Sequence, residues 1–196
     1  MLDLHVFLAN LPYIAFGILG LFLLIQLYYI LFVYSKLNRY QIEHHQEGTD
    51  WMPLSVIICA HNEQDNIPEF LPSILTQDYP EFEVIVVNDF STDNTPWILQ
   101  EFEAKYSHLK IVDIQEHIRL KHGKKFAVSM GIKASRHQTL VFTDADCAPQ
   151  SDQWLKEIAT AFNPETEIVL GYSPYFKQRS LLNLLIRFET SHTAMS

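Results

Sequence analysis

LSVIICAHNE, at residues 54–63, begins as a run of apolar and β-branched residues and ends abruptly in polar ones. The apolar part has the length of a strand buried on both faces, and the polar part is typical of a loop after such a strand. Apolar residues then recur at helical spacing, at Ile67, Phe70, Leu71 and Ile74. The stretch therefore predicts a strand, a polar loop and a helix in succession.

This succession recurs along the chain, roughly four times in about 110 residues, and predicts an α/β fold: a mostly parallel sheet with flanking helices on both faces. Ligands of such folds gather at the carboxyl ends of the strands. Polar segments at 61–65, 88–93 and 144–146 each follow a predicted strand. Strands are predicted over Leu54–Cys59, Phe82–Val87, Leu109–Ile114, Thr139–Thr143 and Ile168–Tyr172, and later helices around Trp97–Tyr106, Phe126–Ala134 and Trp154–Phe162.

The stretch from Pro12 to Tyr34 is apolar and carries no charge. As a helix it would span about 34 Å, against about 30 Å for the hydrocarbon core of a bilayer. The residues before it contain no Lys or Arg, which a signal peptide would carry. We predict one transmembrane helix, within residues 1–35, that anchors the protein in the lipid bilayer. Because Lys36 and Arg39 follow it, the soluble domain is predicted to lie in the cytoplasm.

Charge and cysteine content exclude several classes of protein. The chain carries 23 acidic and 14 basic side chains, a net charge of −9, so nucleic acid is not expected as a partner. The dense basic run of Arg119, Lys121, Lys124 and Lys125 is enough for one small anion. The two cysteines form no disulfide framework or zinc motif and are expected to be buried, reduced thiols.

Asp144 and Asp146 follow the fourth predicted strand with one residue between them. Two close carboxylates repel each other unless a cation or proton intervenes. Mg²⁺ is commonly held by one or two carboxylates together with substrate phosphates. The pattern predicts a divalent metal site, and the alternative is a turn in which an Asp caps the following helix.

Asp89 ends the second predicted strand within VIVVNDFSTDNT, residues 84–95. A carboxylate at that point can accept hydrogen bonds from a base edge or a ribose hydroxyl, whereas Asp93 is better placed to cap the next helix. In the alternative interpretation both residues serve only turns and caps.

Gly123-Lys124-Lys125 is predicted to open a helix after a basic loop. A lysine at a helix start is unfavourable for the helix dipole, and a nearby anionic diphosphate would account for it. Lys124 is the candidate for that contact. The alternative is a solvated basic loop before an amphipathic helix.

Four motifs together resemble the GT-A glycosyltransferases of family 2: VIICAHNE at 56–63, VVNDFSTDNT at 86–95, GKKFAVSMG at 123–131 and TDADC at 143–147. The resemblance covers about 120 residues, from Pro53 to Tyr172, in the order and spacing of the family. It implies a Rossmann-like GT-A domain, over residues 54–175, after a linker at residues 36–53.

The resemblance also implies inverting transfer of a sugar, with Mg²⁺ or Mn²⁺, from a nucleotide-sugar donor to an acceptor hydroxyl on a glycan or a lipid-linked molecule. The donor is expected to be a UDP-sugar. Asp144 would approach the ribose and donor sugar, Asp146 would bind the metal, and Lys124 would lie near the diphosphate. The nucleoside pocket would be lined by Cys59, Ala60, Asn62, Glu63 and Asp89.

Some positions depart from the family pattern. Asn88 stands where the family often has Asp, and Phe90 where it often has Gly. Residues 176–196 are interpreted as the start of an incomplete acceptor-binding half, and the catalytic base is expected beyond Ser196. LLNLLIRF, at 181–188, would pack on that half or lie at the membrane surface.

Two further functions stay open at this point. The chain could be a catalytically incomplete, nucleotide-binding membrane protein, or a nucleotidyltransferase, which also uses paired carboxylates. A nucleotidyltransferase usually has a sequence rich in glycine and basic residues after its first strand, where this chain has AHNEQDN.

Overall fold

A computed structural model of the chain describes residues 4–34, 51–163 and 165–195. The described part divides into two compact units. One contains the first helix and the last helix, and the other contains the sheet with the helices that cover it.

Within the described residues, four strands form one parallel sheet in the order β3-β2-β1-β4. Its strands are β1 (Leu54–Ala60), β2 (Phe82–Asp89), β3 (Leu109–Ile114) and β4 (Thr139–Asp144). In this register Cys59 lies between Val87 on one side and Asp144 on the other, and Ala60 lies opposite Asn88. Because all strands run the same way, the loops that follow them meet at one edge, which we call the carboxyl edge.

Helices cover both faces of the sheet, as predicted. Residues alternate between the faces along each strand, so Val56 and Ile58 join one apolar cluster while Ile57 joins the other. The first cluster includes side chains of the helices Asn66–Leu75, Thr95–Lys105 and Trp154–Thr160, and the second includes side chains of the helix Glu116–Ala134. The helices are α1 (Leu4–Tyr28), α2 (Asn66–Leu75), α3 (Thr95–Lys105), α4 (Glu116–Ala134), α5 (Trp154–Thr160) and α6 (Leu181–Met195).

Helix α4 approaches the sheet closely at Gly131. A Cβ added there would lie 2.5 Å from the Cγ2 of Ile57 and 3.2 Å from the Cγ2 of Val87. Glycine therefore lets the backbone of this helix rest against the centre of the sheet.

A buried carboxylate joins the amino ends of the strands to the end of α4. Glu83 is 2% exposed and accepts hydrogen bonds from Ser55 Oγ at 2.7 Å, from the Arg136 backbone N–H at 2.6 Å and from Arg136 Nε at 2.9 Å. Burial by itself would raise the pKa of Glu83, but these bonds and the Arg136 charge together lower it. The carboxylate is thereby held ionised inside the domain.

Two predicted elements differ from the structure. Ile168–Tyr172 is not a strand: it pairs with no strand of the described chain, and Leu170 is 91% exposed. An apolar run forms a strand only beside a neighbour whose backbone it can bond. The basic loop predicted before Phe126 is helical instead, because α4 already begins at Glu116. The side chains of Arg119 and Lys121 lie outside the described residues.

The predicted helix start at Gly123 corresponds to a break inside α4. Gly123 has φ 61° and ψ −165°, a conformation that interrupts the helix and that glycine adopts at little cost. Lys124 and Lys125 therefore begin the second part of α4, which contains the residues predicted to be helical.

The N-terminal apolar stretch is helical, as predicted. Helix α1 continues as a π-helical turn over Tyr29–Tyr34, and Asn10–Phe32 is long and apolar enough to cross a membrane. None of that segment is buried within the protein. Lys36, Arg39 and most of the predicted linker lie outside the described residues.

Candidate functional site

Three polar loops meet at the carboxyl edge, after β1, β2 and β4. Asp89 ends β2 and is 8% exposed, whereas Asp144, at the end of β4, and Asp146, in the following turn, are exposed. Of the other nucleoside-pocket candidates, Cys59 and Ala60 end β1, and Asn62 and Glu63 lie in the loop that follows it. The parallel register thus brings these candidates to one edge of the sheet.

Lys124 reaches this edge from the break in α4. Its Nζ lies 2.9 Å from Asp144 Oδ1, and the two side chains are 70% and 58% exposed. The pKa of Lys124 is raised by its hydrogen bond to Asp144 and by the charge of that carboxylate, with smaller contributions from Cys59 and Asp146. An ion pair this exposed adds little to stability, so Lys124 can exchange Asp144 for another anion at small cost.

Cys59 lies beside this ion pair. Burial raises the pKa of the Cys59 thiol, the Lys124 charge opposes that rise, and Asp144 and Asp89 add to it. The thiol is thus neutral at physiological pH, and it interacts with charged groups from three different elements. The Cys59 side chain is therefore an uncharged group among the charged side chains of the carboxyl edge.

The loops after β1 and β2 are tied directly to each other through Asn62. The Asn62 backbone N–H donates to Ser91 Oγ at 3.0 Å, and the Thr92 N–H donates to Asn62 Oδ1 at 2.8 Å. Asn62 has φ 57°, and Phe90 in the facing loop has φ 51°. Positive φ is tolerated by asparagine but is unusual for a bulky residue such as phenylalanine.

Asp93 and Glu63 serve the starts of the neighbouring helices. Asp93 accepts the Thr95 N–H at 3.0 Å at the start of α3 and the Gln64 N–H at 3.2 Å from the β1 loop. Although its partial burial favours the neutral form, hydrogen bonds involving Thr95 and Gln64 lower the pKa of Asp93. Glu63 Oε2 accepts from Asn66 Nδ2 at 2.6 Å. Both carboxylates are therefore engaged in loop and helix structure.

The structure explains why asparagine stands at position 88, where the family often has aspartate. Its Nδ2 donates to Asp113 Oδ1 at 2.8 Å, and its Oδ1 accepts the Ser91 N–H at 3.2 Å. An aspartate at this position would face the Asp113 carboxylate and repel it. The amide replaces that repulsion by a hydrogen bond and leaves Asp89 as the β2 carboxylate at this edge.

His61 belongs to the polar segment 61–65 that the sequence placed at this edge, whereas Asp113 was missed. His61 Nδ1 lies 2.8 Å from the carbonyl oxygen of Asp89, which can only accept, so Nδ1 carries the proton. His61 Nε2 is then free to accept from Asn62 Nδ2 at 3.2 Å. The position of Asp113 opposite Asn88 depends on the register between β2 and β3, so it could not be predicted from the sequence.

Asp144, which ends β4, and Asp146 in the following turn offer carboxylate oxygens, the type of ligand that binds divalent cations. No cluster of three or more His, Cys, Asp or Glu side chains able to hold a metal occurs among the described residues. Asp146 is exposed, and its Oδ1 lies 3.7 Å from Cys147 Sγ, while one Asp144 oxygen is engaged by Lys124. Mg²⁺ is commonly coordinated by one or two protein carboxylates when phosphate oxygens supply further ligands.

The parallel sheet with charged loops at its carboxyl edge places the chain in the class of open α/β domains, which bind their ligands at that edge. The family model described as "Glycosyl transferase family 2" matches residues 55–191. The chain belongs to glycosyl transferase family 2, and its fold is the GT-A fold.

Relatives and a solved structure agree with this assignment. The chain is 32% identical over 120 residues to poly-beta-1,6-N-acetyl-D-glucosamine synthase of Staphylococcus epidermidis, covering 61% of this chain and 27% of the relative. It is 35% identical over 121 residues to glycosyltransferase AglE of Haloferax volcanii, covering 60% of this chain and 38% of the relative. The mannosyltransferase PcManGT of Pyrobaculum calidifontis, solved with GDP-Man and Mn²⁺, is 26% identical with a TM-score of 0.56, covering 66% and 38% of the two chains.

The chain therefore spans between about a quarter and two fifths of the length of these relatives.

Proposed function

We propose that the protein transfers a sugar from a nucleotide-diphosphate sugar to an acceptor hydroxyl, with inversion and with a divalent cation, and that the donor is a UDP-sugar. The observation that carries the proposal is the Lys124–Asp144 pair, which stands beside Cys59 at the edge where Asp89 and Asp146 also lie. Membership of the family, and the GDP-Man with which the Pyrobaculum mannosyltransferase was solved, support the same substrate class.

In this proposal each group at the carboxyl edge has a separate task. Asp89 accepts hydrogen bonds from the nucleoside, in a pocket lined by the segment from Cys59 to Glu63. Lys124 shifts from Asp144 to the donor diphosphate, which frees Asp144 to accept from the ribose and the donor sugar. The exchange replaces an exposed ion pair by a charge-assisted contact with phosphate.

Asp146 would hold Mg²⁺ or Mn²⁺, with further ligands from the donor diphosphate. When bound, the cation offsets the negative charge that builds up on the departing nucleoside diphosphate. The acceptor hydroxyl, on a glycan or a lipid-linked molecule, attacks the anomeric carbon as its bond to the diphosphate breaks, and a general base takes the hydroxyl proton. Lys124 stabilises the same developing charge on the leaving group.

Binding of the product nucleotide tests this proposal on the chain as it stands. Calorimetry of the full chain in detergent micelles should give a measurable Kd for UDP in the presence of Mn²⁺. Without Mn²⁺ the affinity should be at least about tenfold lower, because the cation would no longer link Asp146 to the diphosphate. Asp146→Ala should remove the effect of Mn²⁺, because it deletes the proposed metal ligand. Asp152→Ala is the matched control, because Asp152 is an exposed carboxylate two residues before α5.

GDP titrated in parallel distinguishes the donor base, because the Pyrobaculum relative was solved with GDP-Man. Equal Mn²⁺ dependence in the Asp146→Ala variant would contradict the metal assignment. Absence of UDP and GDP binding by the wild-type chain would contradict the proposed function itself.

We further propose that the helical segment Asn10–Phe32 spans the membrane. Because Lys36 and Arg39 follow it, we propose that the sheet domain lies in the cytoplasm. Trypsin should cleave the sheet domain in inverted vesicles from a bacterial host and leave it intact in whole spheroplasts. The reverse pattern would contradict this orientation, and recovery of the chain in the soluble fraction would contradict the span.

A further inference from the structure

We infer that Asn62 is a positioning residue: it locks the loops after β1 and β2 into the arrangement that receives the nucleoside, and its own side chain does not contact the ligand. This role rests on the proposed nucleotide site and differs from the direct contact expected of Asn62 from the sequence. The hydrogen bonds and the backbone conformation of Asn62 both point to it.

Both ends of the Asn62 side chain are engaged within the protein. Oδ1 accepts the Thr92 N–H at 2.8 Å and lies 3.3 Å from Thr92 Oγ1, while Nδ2 lies 3.2 Å from His61 Nε2. The orientation of the amide is determined by these partners, since only its oxygen can accept from Thr92. A ligand would have to displace these bonds in order to use the side chain.

The bonds form a relay from the β2 loop back to β2 itself. Thr92 donates to Asn62, Asn62 donates to His61, and His61 Nδ1–H donates to the carbonyl oxygen of Asp89 at 2.8 Å. The relay ends on the backbone of the residue proposed to bind the nucleoside. A change at Asn62 is therefore transmitted to Asp89 through two hydrogen bonds.

The backbone of Asn62 makes the residue type specific. At φ 57° an L-residue with a β-branched or bulky side chain is strained, whereas Asn and Gly adopt this conformation readily. Of these two, only Asn also supplies the acceptor for Thr92 and the donor for His61. Aspartate tolerates the conformation as well and can accept from Thr92, but it cannot donate to His61.

Three substitutions separate backbone conformation from hydrogen bonding. Asn62→Gly keeps the backbone relaxed but removes the relay, so UDP affinity should fall about tenfold, which corresponds to about 1.4 kcal/mol. Asn62→Ala removes the relay and strains the backbone, so it should also lower the unfolding midpoint. Asn62→Asp should lower UDP affinity less than Asn62→Gly does, since one carboxylate oxygen still accepts from Thr92 although neither can donate to His61.

The experiment measures UDP affinity with Mn²⁺ by calorimetry and, on the same full-chain samples, the ¹⁵N signals of the His61 ring. Wild type should show a proton on Nδ1 and an acceptor at Nε2, and Asn62→Gly should lose that signature together with affinity. Asn163→Gly is the control, because Asn163 also accepts a backbone N–H, from Glu165 at 2.9 Å, outside the carboxyl edge.

If wild type binds UDP and Asn62→Gly binds it equally well, the positioning role is wrong and the proposed function stands. If Asn62→Asp is folded but binds UDP no better than Asn62→Gly, the bond between the two loops does not position the site, which also overturns the inference. If wild type does not bind UDP, the proposed function fails before Asn62 is tested.

Discussion

Glu83 is a buried carboxylate whose ionised form is stabilised by three hydrogen bonds, from Ser55 and twice from Arg136. Its pKa is lowered in the folded chain from a value near 4.5. A group whose folded pKa is depressed contributes stability that is present above its unfolded pKa and is lost as pH falls through the folded pKa. Glu83 thus stabilises the sheet domain at neutral pH and less so in acid.

Glu83→Gln should therefore lower the free energy of unfolding by about 1–3 kcal/mol at pH 7 and by less below about pH 4, because the charged acceptor is lost. Urea unfolding of the full chain in detergent, followed by the fluorescence of Trp51, Trp97 and Trp154, reports on the sheet domain, which contains all three tryptophans. A difference between variant and wild type that does not change between neutral and acid pH would contradict the assignment of this pKa.

Single residues differ in how far the sequence could predict them. Asp144, Asp146 and Lys124 stood out as candidates because charged residues directly follow a strand or begin a helix. The ion pair between Lys124 and Asp144 could not be predicted, because the two residues are 20 positions apart in sequence. The bond between Asn88 and Asp113 was equally hidden, because it depends on the register of two strands.

At the scale of secondary-structure elements, the packing of α4 against the sheet depends on the absence of a side chain at Gly131. A methyl group there would lie 2.5 Å from Ile57 Cγ2, in the centre of the sheet. Because interiors are close-packed, helix or sheet must move to admit it. The same helix carries Lys124 to the carboxyl edge, so its displacement would be felt at the site.

Gly131→Ala should destabilise the sheet domain by about 1–3 kcal/mol, as overpacked cores usually do. Gly171→Ala is the matched control, since a Cβ added at Gly171 meets no atom within 4 Å. The same tryptophan-monitored urea titration measures both variants. Equal stability of Gly131→Ala and wild type would contradict the close approach of α4.

Element by element, all four strands of the sheet were predictable from their apolar runs, and the error was a fifth strand that does not form. β1 and β2 have buried residues on both faces, so their sequences read as continuous apolar runs. Ile168–Tyr172 has similar residues but no partner strand in the described chain, and the prediction of a strand there was wrong. The helix before Gly123 was missed because its residues are basic and polar and lack an apolar stripe.

At the scale of the whole molecule, the alternation of strands and helices sufficed to predict the α/β class, and the parallel order then placed three loops at one edge. Composition also separated the apolar N-terminal helix from the domain. Distances across the carboxyl edge required coordinates, because they depend on register and on the break at Gly123. The proposed activity requires that these loops bind one ligand together.

The most direct test uses Mn²⁺ bound with UDP as a paramagnetic probe of the full chain in micelles, with Mg²⁺ and UDP as the reference. The backbone amide signals of Asp89, Lys124 and Asp146 should broaden together, while that of Arg136, at the opposite end of the strands, should persist. Persistent signals of Lys124 and Asp146, with broadening elsewhere in the chain, would contradict a shared nucleotide and metal site at the carboxyl edge.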